Sequence, residues 1–430
     1  MGRKLRKWEK AVAGALAAVF LIAGGFMGID KFAPEERSLT IVDDDTAAVS
    51  GNAAVSQRGD ASGKDSGGGE DDSGLDISAK SAILIDGSSG KVLFAQNEKE
   101  HLPPASVTKV MTLLLILEGC ESGKISTEDE VIISERAASM GGSQMYMEPG
   151  EKHTVEELLK GVIMVSANDG CVALAEHLSG SVESFVELMN QKAAEMGLED
   201  SHFVNTNGLP VANHYSCAYD IGMISRELME FEDARDWFTA WQEDIKVGLP
   251  GKESDFTLTN TNKLIKSYSG AIGVKTGFTD DAGYCLAGAA ERDSTRLISV
   301  VLGCESSEVR FDEAARLLDH GFAGYETVQL AKAGERIEKV AVQKGDQTEI
   351  FAVSEDPLGV TVKKGEKDQV KKLVEIDENL ELPIEKGEKV GSMVVLEGDE
   401  ETARYRLVSD RKVERADFAT TYIRMIKKMI

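Results

Sequence analysis

The feature that most constrains this chain is a proline pair running straight into an apolar stretch: Pro103-Pro104-Ala105-Ser106-Val107-Thr108-Lys109, then Val110 to Leu117. Proline lacks the N–H a helix interior needs, whereas the residues behind it are good helix formers, so a buried helix is predicted to open at Ser106. Lys109 then falls one turn on, beside the serine. A serine hydroxyl attacks poorly until a base takes its proton. A lysine can be that base only where burial, the positive end of a helix or a second cation favours its neutral form. The apolar run supplies the burial. A second copy of the spacing, Ser88-Ser89-Gly90-Lys91, lies in a glycine-rich turn with no helix behind it and is read as chance.

The 430 residues, 42% hydrophobic, are enough for a large core and two domains. A net charge of -26 without a concentrated basic face excludes nucleic acid as a partner. The five cysteines, Cys120, Cys171, Cys217, Cys285 and Cys304, show no CxxC or Cys/His ligand spacing. They indicate neither a zinc site nor a dense disulfide framework, and no metal or cofactor is expected.

Along the chain, residues 1–29 read as a signal peptide or membrane anchor. Arg3, Lys4, Arg6, Lys7 and Lys10 precede an uncharged run from Ala11 to Ile29 that is long enough to span a bilayer. Residues 30–74, rich in Gly, Ser, Ala and Asp, are expected to form a flexible acidic linker, since they carry too little apolar surface to offset ordering. The Ser50-Gly51-Asn52 within it cannot hold a catalytic geometry.

Order is expected over 75–325. Ala82 to Ile85 and Lys91 to Ala95 read as a hairpin leading into the Ser106 segment. Helical periodicity follows at Val155 to Val165, Cys171 to Leu178, Val182 to Met196 and Tyr219 to Phe231. Strands return at Gly273 to Lys275, Tyr284 to Ala290 and Arg296 to Leu302, before a helix from Phe311 to His320. Strands at both ends of a helical middle imply an α+β domain, an antiparallel sheet flanked by helices. Residues 326–415, short alternating runs broken by glycine turns, read as a small all-β domain. Residues 416–430 place Phe418, Tyr422, Met425, Ile426 and Met429 on one face of an amphipathic helix, suited to a membrane surface or to packing on the protein itself.

Two further motifs raise Ser106 above coincidence. Ser166-Ala167-Asn168 sits between two helical segments, and Lys275-Thr276-Gly277 ends a strand. SxxK, S-x-N and K-T-G, in this order on helix, loop and strand, form the signature of penicillin-recognising serine enzymes, here with Ala167 where aspartate is usual.

With these residues in view, the chain resembles the low-molecular-mass penicillin-binding proteins of the serine-type D-alanyl-D-alanine carboxypeptidase family. The similarity takes in Leu102 to Thr112, Ser166 to Leu178, Ser201 to Leu209 (SHFVNTNGL) and Gly273 to Gly288 (GVKTGFTDDAGYCLAG). It implies a penicillin-binding-protein/β-lactamase-like domain followed by the small β domain. It further implies that the penultimate D-alanine carbonyl of peptidoglycan stem peptides acylates Ser106, that Lys109 accepts the proton, and that β-lactams acylate the same serine. The oxyanion needs fixed donors. The Ser106 N–H is one candidate, and the resemblance adds the Phe278 N–H. Lys275 and Thr276, with Gly277 completing the motif, suit the terminal carboxylate, and Lys275 supplies a second cation to keep Lys109 neutral. Ser166 can pass a proton to the departing amine, while Asn168 orients Lys109 and the substrate amide.

Some features depart from the family pattern. The carboxylate-binding arginine that certain members carry near Asn260-Thr261-Asn262 is not found, leaving Lys263 as its substitute. Glu187 lies inside a helix and reads as a solvated face, so slow release of β-lactam adducts is expected instead of β-lactamase action. Cys171, one turn beyond Asn168, reads as a small buried residue, with blockage of the site by thiol reagents as the functional alternative. His101 and His153 are expected at the surface, without a paired acid.

The expected function is an exported, membrane-associated DD-carboxypeptidase. The rivals are the same acylation with an amine acceptor, in a transpeptidase or endopeptidase, and a non-catalytic wall-binding or penicillin-sensing protein.

Overall fold

The computed structural model describes residues 40–41, 75–377, 379–398, 400–418 and 424. The stretch 1–29 expected to direct export, the rest of the 30–74 stretch and most of the 416–430 segment expected to be an amphipathic helix lie outside these residues. Thr40–Ile41 (β1), inside the stretch expected to be a spacer, pairs antiparallel with Val374 and Leu373. Among the described residues no helix is long and apolar enough to cross a membrane.

The predicted hairpin forms as Ser81–Asp86 (β2) and Val92–Gln96 (β3). A 3-10 turn, Ala105–Thr108, then leads into Lys109–Glu121 (α1). The helix thus starts three residues later than expected, with Ser106 on the tighter turn. Glu130–Ile132 (β4) and Lys152–Thr154 (β5) pair on either side of Glu135–Ala138 (α2). Next come Val155–Met164 (α3), Asn168–Ser179 (α4), Val182–Glu195 (α5) and Ala218–Leu228 (α6). A capping box between Thr154 and Glu157 satisfies the free donors at the start of α3. Arg235–Thr239 (α7) precedes a hairpin of Gln242–Val247 (β6) and Ser254–Thr259 (β7), then Leu264–Ser267 (α8). Ala271–Thr279 (β8), Gly283–Arg292 (β9), Thr295–Cys304 (β10) and Ser307–Gly324 (α9) close the domain.

The sheet order is β3-β2-β10-β9-β8, all antiparallel. Both faces are covered, which is why Ala82-Ile83-Leu84-Ile85 is apolar without alternation. Ile83, Ile85 and Val300 meet α6 at Gly222, while Leu84 and Leu297 meet α9 at Gly321. Among the described strands β8 is left at the edge, with one sheet neighbour.

The second domain is all β, as expected. Tyr325–Ala331 (β11) pairs with Leu358–Lys363 (β14). Arg336–Ala341 (β12), Glu349–Val353 (β13), Val370–Ile376 (β15), Lys389–Glu397 (β16) and Glu400–Ser409 (β17) form a sheet in the order β1-β15-β16-β17-β13-β12. Val340, Ile350, Val360, Val390, Val395 and Leu407 fill its core. Thr361 Oγ1 donates to the buried Asp86 carboxylate at 2.7 Å, Thr327 N–H donates to Thr295 Oγ1 at 3.2 Å, and Lys91 pairs with Glu397, joining this domain to the first.

Candidate active site

Ser106 lies on the 3-10 turn, held between two glycines. A Cβ on Gly208 would come within 1.8 Å of the Ala105 carbonyl oxygen. One on Gly277 of β8 would stand 3.0 Å from Pro104 O and from the backbone nitrogens of Ser106 and Val107. Loop 205–209 and strand β8 can therefore close on the nucleophile from two sides only as glycines. Ala105, just before the serine, sits at φ 48°, in the left-handed region that costs a non-glycine residue about 1–2 kcal/mol.

Lys109 is fully buried. Its Nζ lies 2.8 Å from Ser106 Oγ and donates at 2.8 Å both to Asn168 Oδ1 and to the carbonyl oxygen of Asn207. A neutral amine has two N–H groups and one lone pair. With both N–H groups given to Asn168 and Asn207, the lone pair is left facing the serine hydroxyl. Burial lowers Lys109 to about 8, against the smaller opposing pull of Cys171 and Asp169. Lys275, equally buried, is pushed well below its usual value by burial and then by the charge of Lys109. The repulsion expected between the two lysines therefore weighs on Lys275.

The S-x-N segment bridges α3 and α4 at the same place. Ser166 is buried at φ 64°, and its hydroxyl has no hydrogen-bond partner among the described residues. Leaving such a group unpaired costs about 1–3 kcal/mol, a cost a substrate can relieve. Asn168, the first residue of α4, donates from Nδ2 to the Gly141 carbonyl at 2.7 Å, which fixes its oxygen toward Lys109. Next to it the buried Asp169 carboxylate accepts the N–H groups of Met145 and Tyr146 at 3.0–3.1 Å, pinning loop 141–147 over the helix start.

On β8, Thr276 Oγ1 meets Thr261 Oγ1 at 2.8 Å, and Lys275 Nζ donates to the Thr276 carbonyl at 3.2 Å. Phe278 is half exposed and packs on Tyr284 with ring centroids 4.3 Å apart. The eight residues singled out from the sequence, Ser106, Lys109, Ser166, Asn168, Lys275, Thr276, Gly277 and Phe278, thus belong to the 3-10 turn, the first residue of α1, the α3–α4 junction and strand β8.

Four contributors went unread. The Asn207 carbonyl is one; any residue offers a carbonyl, and only the glycine after it marks the loop. Asp169 is the second. The third is His214, whose Nδ1 accepts the Val204 N–H at 3.0 Å, so Nε2 carries the hydrogen and donates to Thr108 Oγ1 at 2.8 Å. Burial lowers it to about 4 and keeps it neutral. The fourth is Arg310 of α9, buried, whose Nη1 donates to the Gly277 carbonyl at 2.9 Å. An arginine does reach the K-T-G strand, then, but from α9 and not from near Asn260–Asn262. Lys263, the expected substitute, lies 6.0 Å from the centroid of the Phe311 ring.

His153 corrects an expectation. It is buried, with Nε2 2.7 Å from Glu151 Oε1 and Nδ1 3.2 Å from Glu157 Oε2. The paired acids stood two and four residues away in the sequence, and β5 carries the ring inward. His101 is exposed as expected, stacked on Tyr215, although it does pair with Asp200 at 2.9 Å. Glu187 is exposed on α5. Cys171 is buried, and burial pushes its thiol up to about 11, which leaves little thiolate to react.

A cleft of about 360 Å³ adjoins the nucleophile turn, bounded by Pro103 to Ala105, Gly208 to Ala212, His214, Thr279 and Asp281. A larger groove of about 970 Å³ lies at the other end of α1, around Cys120, Phe231 and Trp237, and holds none of the motif residues.

Comparison with known proteins agrees with this arrangement. Residues 69–306 match the family model for D-alanyl-D-alanine carboxypeptidase, and residues 325–415 match that for the penicillin-binding protein 5 C-terminal domain. The chain is 42% identical over 343 residues to the D-alanyl-D-alanine carboxypeptidase DacF of Bacillus subtilis, covering 80% of this chain and 87% of that one. It is 34% identical over 330 residues to DacC of Escherichia coli, covering 74% and 80%. Penicillin-binding protein 5 from Haemophilus influenzae superposes with a TM-score of 0.63 at 32% identity, over 79% of this chain and 99% of that one. A Streptomyces K15 DD-transpeptidase mutant superposes with a TM-score of 0.55 at 30% identity, over 58% and 99%. A buried lysine poised on a serine, the S-x-N and K-T-G elements beside it and relatives that match through both domains all agree: this chain belongs to the D-alanyl-D-alanine carboxypeptidase family of penicillin-binding proteins.

Proposed function

We propose that the protein is a serine-type DD-carboxypeptidase that removes the terminal D-alanine from peptidoglycan stem pentapeptides at Ser106, and that penicillin acylates the same hydroxyl. The observation that carries this reading is the buried contact of Lys109 Nζ with Ser106 Oγ, Asn168 Oδ1 and Asn207 O.

In the first step Ser106 Oγ attacks the penultimate D-alanine carbonyl and gives its proton to the neutral Lys109 amine. The oxyanion forms between the N–H groups of Ser106 and Phe278; losing one such donor typically slows a reaction by about 10²–10³-fold. The C–N bond then breaks. The amine of the departing D-alanine takes a proton relayed from Lys109 through Ser166, whose unpaired hydroxyl is free to bridge. Water repeats the sequence on the acyl-enzyme and releases the shortened peptide. The terminal carboxylate sits on Thr276, with Lys275 and Arg310 as cations behind it. Binding that carboxylate favours the charged form of Lys275, which burial otherwise disfavours.

Hydrolysis, instead of transfer to an amine, is favoured by the relatives named as carboxypeptidases that extend through both domains; the similarity to the transpeptidase covers 58% of the chain. A wall substrate puts the protein outside the cytoplasmic membrane, to which the apolar segment at 11–29 would deliver or tether it. Residues 75–325 form the catalytic domain and 326–415 a non-catalytic domain; the amphipathic terminal segment is a second membrane contact.

The test is incubation with a D-Ala-D-Ala pentapeptide and, separately, with benzylpenicillin. Free D-alanine without cross-linked product, a mass increase on Ser106, and loss of both in Ser106→Ala are expected. Reversible penicillin binding with no mass increase would remove the catalytic reading.

A further inference from the structure

Among the described residues β8 has a sheet neighbour on one side only, so an extended peptide can lie along its other edge. On the reading above, the terminal carboxylate lies at Thr276 and the scissile carbonyl at the Phe278 N–H. That polarity runs the acyl side of the peptide onward past Phe278, toward Thr279 and Asp281. The 360 Å³ cleft opens at that end.

Its two walls differ in chemistry. Pro103, Leu209, Pro210 and Val211 make one apolar, and Val211 is 46% exposed. The other holds Thr279 and Asp281. Asp281 is exposed, and its carboxylate enters no hydrogen bond or ion pair recorded among the described residues. A trough of methyl and methylene surface with one free carboxylate at its rim suits a side chain of several methylenes ending in an ammonium, which can lay its stem on the apolar wall and keep its head wet.

We propose that this cleft receives the side chain of the residue preceding the D-alanine pair and that Asp281 pairs with a terminal ammonium there. This deepens the carboxypeptidase reading and rests on it. The enzyme then prefers stems whose side-chain amine is free over stems whose amine is already acylated. It acts before the reaction class that consumes that amine, cross-linking, and competes with it for the same strands.

The experiment compares D-alanine release by the full chain from Nα-acetyl-L-lysyl-D-Ala-D-Ala and from its Nε-acetylated form. An exposed ion pair corresponds to a preference of about two- to fivefold in kcat/KM for the free amine. The difference should lie in KM and shrink as salt is raised. Asp281→Asn is expected to bring the ratio to one, Asp281→Lys to invert it, and Asp281→Glu to retain it. Equal rates on the two peptides in the native enzyme, or a ratio unchanged in Asp281→Asn and Asp281→Lys, would overturn the subsite while leaving the carboxypeptidase reading intact. Release from neither peptide, with Ser106 still acylated by penicillin, would remove that reading and the subsite with it.

Discussion

The helix-covered sheet β3-β2-β10-β9-β8 and the second sheet, β1-β15-β16-β17-β13-β12, are both antiparallel and both packed with branched apolar side chains, but they bury different polar groups. Around the first, the buried side chains include Lys109, Lys275, Asp169, Asp220, Glu151, His153 and Arg310. In the second domain the buried polar side chains are Ser354, Thr361, Ser392 and Ser409; none of those described is ionisable. Backbone strain divides the same way. Of the described non-glycine residues with positive φ, Ala105 lies on the nucleophile turn, Ser166 at the α3–α4 junction and Tyr146 in the loop held by Asp169, while Lys344 is the one beyond residue 325. A buried charge must be held by partners that cannot relax. The first domain is therefore expected to tolerate little displacement near Ser106, and the second to tolerate change that leaves its core filled.

Gly208→Ala is the severest trial of that contrast. The added Cβ would start 1.8 Å from the Ala105 carbonyl oxygen, on a residue at φ 84°. The nucleophile turn or loop 205–209 must give way, carrying with it the Asn207 carbonyl that holds Lys109. Misplacement of about 1 Å costs on the order of a hundredfold in rate, so penicillin acylation should fall by at least about that much. Near-native acylation in this variant would show that the two glycines do not set the position of Ser106.

The pH dependence should be smaller per step and opposite in cause. Lys109 acts as a base in its neutral form, and burial has brought it to about 8. Below that value the neutral fraction falls about tenfold per unit, so kcat/KM for acylation should climb with pH up to about 8 and then level off. His214, lowered to about 4, is already neutral above pH 5 and adds no limb in that range. A flat profile between pH 6 and 9 would mean that Lys109 is not the titrating base.

How much of this was legible in the sequence follows from the range of each interaction. The Ser106–Lys109 spacing, the S-x-N junction and the K-T-G strand are local patterns; the structure sets Lys109 against Ser106 and Asn168 and packs Gly277 close on the nucleophile turn. The long-range partners were not legible. Arg310 touches Gly277 from 33 residues away in sequence, and nothing local distinguishes it from a surface arginine. The hairpin β6–β7 was missed because Gln242 to Val247 and Ser254 to Thr259 are largely polar, so period-two patterning is weak. The late start of α1 has a steric cause: β8 and loop 205–209 press on the turn from both sides and hold it tighter than an α-helix.

Thr361→Val is the gentlest test, and it addresses the seam between the two domains. Thr361 is fully buried on β14, and its hydroxyl donates to Asp86 Oδ1, whose other oxygen is taken by Ser89. Valine keeps the shape and removes the donor, leaving part of a buried carboxylate unpaired at a cost of about 1–3 kcal/mol. Denaturation should register that loss. Acylation of Ser106 should not, because the strands between carry no ionisable member of the cleft: Asp86 ends β2, whose neighbours are β3 and β10, and β8 lies beyond β9. Were the acylation rate to fall in step with stability, the second domain would be setting the geometry of the catalytic turn, and the division between a strained, charged domain and a relaxed, neutral one would fail at this contact.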